Sequence, residues 1–178
     1  MRRPIATLAA MSMLLLPVAP ASAEVEPEFE FGVLTVTGDR ASETIAVECV
    51  DGAVHVNDSA PGDRRVRCER VAAILVRAGG GDDRVELAGV RPADFEALLE
   101  VTVYGQAGDD TLIGSQLADL LLGGSGADEL RGEGGDDSLR GGPGDDRLRG
   151  GAGNDQLRGD QGDDACVGGP GADAMLSC

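Results

Sequence analysis

The chain has 178 residues, among them 28 glycines, and 32 acidic residues against 15 basic ones leave a formal charge of −17. So large a negative excess repels phosphates and argues against nucleic acid as a partner. One histidine, no tryptophan and 2% aromatic residues also leave few of the side chains from which catalytic centres and stacking sites are built.

Residues 1–23 read as a secretory signal: Arg2 and Arg3, an apolar run from Ile5 to Leu16, then Ala21-Ser22-Ala23 as a small-residue cleavage site. Pro17 and Pro20 break the run, which is short against the roughly twenty residues of a spanning helix. The cleaved chain is therefore expected to be secreted and to have no membrane span. Loss of Arg2 and Arg3 takes its charge from −17 to −19.

Residues 24–104 form an irregular β-rich region. Short strands are expected at residues 31–37, 44–47, 53–56, 66–68 and 73–76, separated by turn-forming residues. Pro92-Ala-Asp-Phe-Glu-Ala-Leu-Leu99 reads as one or two helical turns inserted in a coil. Four cysteines in an exported chain suggest two disulfides. Three connectivities exist, and the favoured one joins Cys49 to Cys68 and Cys166 to Cys178. The lone His55 lies in an alternating strand, where a structural role outweighs a catalytic one.

From Gly105 to the end, residues 105–178 repeat a nine-residue pattern eight times. Position one is Gly105, Gly114, Gly123, Gly132, Gly141, Gly150, Gly159 and Gly168; position six is Asp110, Asp119, Asp128, Asp137, Asp146, Asp155, Asp164 and Asp173. Position four is Gly108, Gly126, Gly135, Gly144, Gly153, Gly162 and Gly171, interrupted only by Leu117. Position eight is always apolar: Leu112, Leu121, Leu130, Leu139, Leu148, Leu157, Cys166 and Met175. One apolar residue in nine suits neither a buried helix face nor a long alternating strand. It suits a very short strand followed by a glycine-permitted turn.

Two nonamers then close one coil, and successive coils stack as parallel strands about 4.8 Å apart. Leu112, Leu130, Leu148 and Cys166 form one inner column, and Leu121, Leu139, Leu157 and Met175 the other. So thin a core cannot alone offset the entropy of ordering a glycine-rich chain. Stacking also brings position-six carboxylates together, and two like charges about 5 Å apart repel by roughly 3 kcal/mol at an effective dielectric near 20. A hard cation turns that repulsion into a binding site. Carboxylates with turn carbonyls suit calcium, whereas zinc would call for histidine or thiolate, and the block has no histidine.

Traces of the pattern continue upstream. Gly38, Glu43 and Ile45 match positions one, six and eight, while Gly79-Gly-Gly-Asp-Asp-Arg-Val85 matches positions two to eight, with Asp83 at position six. The second trace lies three nonamers before the block, which favours continuity of residues 24–104 with the solenoid over a separate β-domain.

Segments such as GGSGADELR (123–131), GGPGDDRLR (141–149) and GGAGNDQLR (150–158) resemble the repeats of hemolysin-type, or RTX, calcium-binding proteins. The resemblance covers residues 105–176. It implies an all-β, right-handed parallel β-roll, or β-solenoid, with irregular N-terminal coils. It also implies several calcium ions, about six, each held between one turn and the next on the same side. The metal residues expected are Asp83, the eight position-six aspartates, the seven position-four glycines and the position-one glycines except Gly114. Family members often carry an enzyme domain, but here there is no HExxH or GxSxG motif. A secreted calcium-binding role is therefore expected, with an adhesin or cell-envelope spacer as the alternative. No cell-surface or polysaccharide ligand is specified by any motif.

Overall fold

A computed structural model of the protein describes residues 25–57 and 66–178. The secretory-signal reading of residues 1–23 falls outside them. The described residues form β1 (Glu26–Glu30), β2 (Val33–Thr37), β3 (Thr44–Val50), β4 (Ala53–Val56), β5 (Ala73–Gly80), β6 (Arg84–Glu86) and β7 (Glu100–Ala107). The repeat block adds β8 (Thr111–Ile113), β9 (Asp119–Ser125), β10 (Glu129–Gly134), β11 (Ser138–Pro143), β12 (Arg147–Ala152), β13 (Gln156–Gln161), β14 (Ala165–Val167) and β15 (Ala174–Leu176).

From β5 onward the strands alternate between two sheets, ordered β1-β2-β5-β7-β9-β11-β13-β15 and β14-β12-β10-β8-β6-β3-β4. All pairings are parallel except β1 with β2 and β3 with β4. These two antiparallel pairs close the N-terminal edge of each sheet, where an open parallel edge would invite pairing with another chain. The protein is an all-β parallel β-roll.

Register follows the nonamer. Leu112, Leu130, Leu148 and Cys166 are successive partners in one sheet, and Leu121, Leu139, Leu157 and Met175 in the other. Upstream the columns continue through Ile45 and Val85 and through Val36, Val76 and Val103. The six leucines of the block are buried. At β14 and β15, the end strands of the two sheets, the expectation of inward burial fails: Met175 is 52% exposed, Val167 60% and Leu176 62%. Cys166 is only partly buried.

The N-terminal coils have a thicker core. Leu34, Ile74 and Val101 form an extra apolar column beside the valines. Chain excursions between strands are covered by their own apolar residues, Val54, Val66, Cys68 and Val71 in one and Val90, Phe95 and Leu98 in the other. Residues 66–68 do not form the expected strand: Arg67 makes a single bridge to Ala53 and a 3-10 turn follows at Cys68–Arg70. This turn brings Cys68 beside Cys49, with Cα atoms 6.1 Å apart, and Cys166 and Cys178 are similarly placed at 5.7 Å. Both pairs are at disulfide distance. The segment 92–99 is also less helical than expected. A single bond of α-helical spacing runs from the Phe95 N–H to the Arg91 carbonyl (3.1 Å), flanked by tighter turns from Asp94 to Arg91 and from Leu98 to Phe95 (3.0 Å each), so that Phe95 and Leu98 reach the core.

Candidate metal centre

Every position-six aspartate except Asp119 reaches across to the neighbouring coil. Its Oδ1 accepts the backbone N–H of the equivalent residue one coil earlier, from Asp110 to Asp128 (2.8 Å), Asp128 to Asp146 (2.9 Å) and Asp146 to Asp164 (3.0 Å). On the opposite side the chain of bonds runs from Asp119 to Asp137 (2.9 Å), then Asp155 (3.0 Å), then Asp173 (3.0 Å). The first ladder extends upstream. Asp83 donates its N–H to Asp110 Oδ1 (2.8 Å), and Glu43 donates to Asp83 Oδ1 (2.8 Å).

The second carboxylate oxygen has no such partner. Oδ2 of Asp83, Asp110, Asp128, Asp137, Asp146 and Asp155, with Oε2 of Glu43, is buried and lacks a hydrogen bond. Position-one glycine explains where it goes. A Cβ at Gly105 would overlap Asp110 Oδ2 and crowd the Gly123 carbonyl, and one at Gly132 would overlap Asp137 Oδ2 and the Gly150 carbonyl. The same clash with the carboxylate of its own repeat recurs at Gly123, Gly141, Gly150, Gly159 and Gly168. Glycine is thus needed to admit a carboxylate oxygen beside a backbone carbonyl. Two acceptors that meet without a donor are costly when buried.

Position-four glycines serve the turn itself. Gly108, Gly126, Gly135, Gly144, Gly153, Gly162 and Gly171 all have positive φ, between 112° and 153°. A Cβ on any of them would collide with the carbonyl of the turn one coil earlier, as at Gly144 with Gly126. Beside them lies a ladder not anticipated from the pattern. Oδ1 of Asp109, Asp136, Asp145 and Asn154 at position five accepts the N–H of Ala127, Asn154, Asp163 and Ala172 respectively. Its signal was the frequent acid or amide at that position. Position two is also left-handed at the non-glycine residues Gln106, Glu133 and Asp160.

Among the described residues no ion pair reaches these acids: those found, such as Arg67 with Glu69 and Arg140 and Arg158 with Asp160, involve none of the ladder carboxylates. Burial is the main cause that pushes their protonation upward: Asp110 to about 6, Asp119 and Asp128 to about 7, Asp137 to about 8, and Asp83 and Asp146 in the same direction. Amide hydrogen bonds from the adjacent coil oppose the shift, while neighbouring carboxylates add to it except at Asp119. Among the described residues no three His, Cys, Asp or Glu side chains converge on one point. A cation here would take backbone carbonyls as part of its shell, in keeping with the Gly123 and Gly150 carbonyls set beside Oδ2 of Asp110 and Asp137. Oxygen donors in flexible turns fit calcium.

A pH dependence follows. A carboxylate whose folded pKa is raised stabilises the fold most below its unfolded value, near 4, and that contribution is lost as pH rises through the folded value. The chain held in chelator is expected to keep more of its β signal in circular dichroism at pH 5 than at pH 8. An equal or smaller signal at pH 5 would contradict the burial of unpaired carboxylates.

The Asp119 turn differs from the others. In its sheet the preceding coil has Val101 in register with Asp119, so the ladder begins there. Ser115 supplies the missing donors, its N–H to Asp119 Oδ2 (2.5 Å) and its hydroxyl to Oδ1 (2.9 Å). The same hydroxyl accepts the Leu117 N–H (3.0 Å) at the position where the turn glycine is absent. Ser115→Ala is therefore expected to lower stability by about 1–3 kcal/mol, the cost of depriving a buried carboxylate of its donor. Urea denaturation in excess calcium measures it, and an unchanged midpoint would show that the hydroxyl is dispensable.

A parallel β-roll in which most stacked turns bury a carboxylate oxygen without a hydrogen-bond partner has the oxygen donor set of a metal-binding repeat protein. Residues 101–121, 113–148 and 140–175 match the family model for the RTX calcium-binding nonapeptide repeat (4 copies). The chain carries RTX repeats, and this block is of the calcium-binding type. No curated protein and no solved structure matches the chain. No helix among the described residues is long and apolar enough to cross a membrane.

Proposed function

We propose that this is an exported calcium-binding protein in which ion binding and closure of the roll are one linked equilibrium. The observation that carries the reading is the set of buried carboxylate oxygens without a hydrogen-bond partner. Asp110, Asp128, Asp146 and Asp164 on one side, Asp137, Asp155 and Asp173 on the other, and Asp83 upstream would supply the carboxylates. Carbonyls of the turns containing the position-one and position-four glycines would complete the shells. About six ions would sit between same-side turns, with the Asp119 site weakest because Ser115 already engages that carboxylate.

The signal-like N-terminal sequence and two cysteine pairs at disulfide distance support an extracellular setting. There, sites of about 10⁻⁴–10⁻³ M affinity would fill, whereas the chain inside the cell would remain open until exported. The acids are engaged in the turns, so the role is binding and structure rather than catalysis. Calorimetric titration of the chelator-stripped chain tests this. Calcium should bind at several sites with a steep isotherm, and magnesium, which holds its water and prefers tighter octahedra, should bind far more weakly. Equal binding of both ions would reject a calcium-tuned site.

A further inference from the structure

We propose that Glu43, with Asp39 and the Ala78 carbonyl, forms a further calcium site in the first coil, outside the nonapeptide block. It rests on the calcium reading of the block and extends it to an upstream coil that keeps the glycine-to-acid spacing but has glutamate in place of aspartate. Glu43 is only 5% exposed, and its Oε2 is buried without a partner. A Cβ at Gly38 would overlap both this oxygen and the Ala78 carbonyl. The arrangement reproduces Gly105 with Asp110 and the Gly123 carbonyl: a glycine, an acid five residues later, and a carbonyl from the next coil.

The other bonds of Glu43 are satisfied in a way that leaves Oε2 aimed into this volume. Oε1 accepts the Asp39 N–H (2.9 Å), and the Glu43 N–H is donated to Asp83 Oδ1 (2.8 Å). Asp39 Oδ1 in turn accepts the Ala41 N–H (2.6 Å) and so closes the turn around the site. An anionic, carbonyl-lined turn without histidine or thiol suits a hard divalent cation. Because the coil lies 40 residues from Asp83 in the chain, this site would fasten the N-terminal coil to the regular roll.

The test is equilibrium dialysis of the full chain against calcium alone, paired with hydrogen exchange. In Glu43→Gln the bound calcium should fall by one ion per chain. Calcium-induced protection should vanish around residues 38–45 and persist across residues 123–164. Undiminished stoichiometry with unchanged protection would overturn the first-coil site while leaving the block intact. Should that variant fail to fold, Asp39→Asn keeps the turn-closing acceptor and removes one charge. It should weaken a single site, and an isotherm identical to that of the unsubstituted chain would overturn the proposal. Absence of calcium uptake and of protection across the block in the unsubstituted chain would instead defeat the calcium reading itself.

Discussion

Chelation is expected to dissolve the repeat block. In excess chelator at pH 8 the β signal in circular dichroism should collapse toward that of an unfolded chain, and calcium should restore it in one cooperative step. The physical reason is local. The buried Oδ2 atoms lack a donor, those of Asp110 and Asp137 lie beside the Gly123 and Gly150 carbonyls, and the acids of one ladder repel their neighbours. Each position-eight leucine supplies only about 1.5–3 kcal/mol by burial, and the block offers six that are fully buried, since Met175 is half exposed. Coils that stabilise one another through shared turns behave as a nearest-neighbour array, so loss of one ion weakens the next site. The N-terminal coils are expected to retain part of their structure. Their additional column of Leu34, Ile74 and Val101, and the packing of Phe95 and Leu98, do not depend on carboxylates. A spectrum unchanged by chelator would contradict this description.

The second large effect lies in the backbone. Gly144→Ala is expected to destabilise the calcium-loaded roll by at least about 3 kcal/mol, because it adds backbone strain and steric overlap together. Gly144 has φ +145°, and a methyl group there would collide with the Gly126 carbonyl of the coil beneath. That carbonyl cannot move alone, because the Ala127 N–H of the same peptide plane is tied to Asp109 Oδ1 (2.8 Å). Gly134→Ala is the matched control. Its backbone is not left-handed and a Cβ would meet the flexible Gln116 side chain at 3.4 Å and the Ala152 carbonyl at an ordinary contact of 3.9 Å, so its effect should stay within about 1 kcal/mol. Thermal unfolding of both variants in saturating calcium measures the contrast. Equal losses would mean that the turns are more compliant than their stacking implies.

Much of this architecture was legible because a nine-residue period and an eighteen-residue coil leave few alternatives. Leucine at position eight and aspartate at position six can stack only with themselves, and Leu112 on Leu130 or Asp110 on Asp128 follows directly. The pairing of Cys166 with Cys178 was accessible for a related reason, since a short loop joins the last inward position to the terminus. Glu43 was legible as a degenerate position six, but not as a ladder member with its own buried oxygen. Its link to Asp83 spans an irregular excursion whose length conceals the register.

Ser115 was illegible for another reason. Its importance arises because Val101, an ordinary core residue, precedes Asp119 in the column, a fact of three-dimensional register rather than of local pattern. The exposed last coil was likewise hidden. Position eight predicts an inward direction, but burial also needs a covering layer, which Met175 lacks.

The most direct test follows the amides that the carboxylates hold. Hydrogen exchange at Asp110, Asp119, Asp128, Asp137, Asp146 and Asp155, whose N–H groups bond the next coil's carboxylate, should be measured as calcium is added to the stripped chain. All six should pass together from fast to slow exchange over the range in which calcium is taken up. Equal protection with and without the ion would show that the acid ladders close unaided, and the central claim would fail.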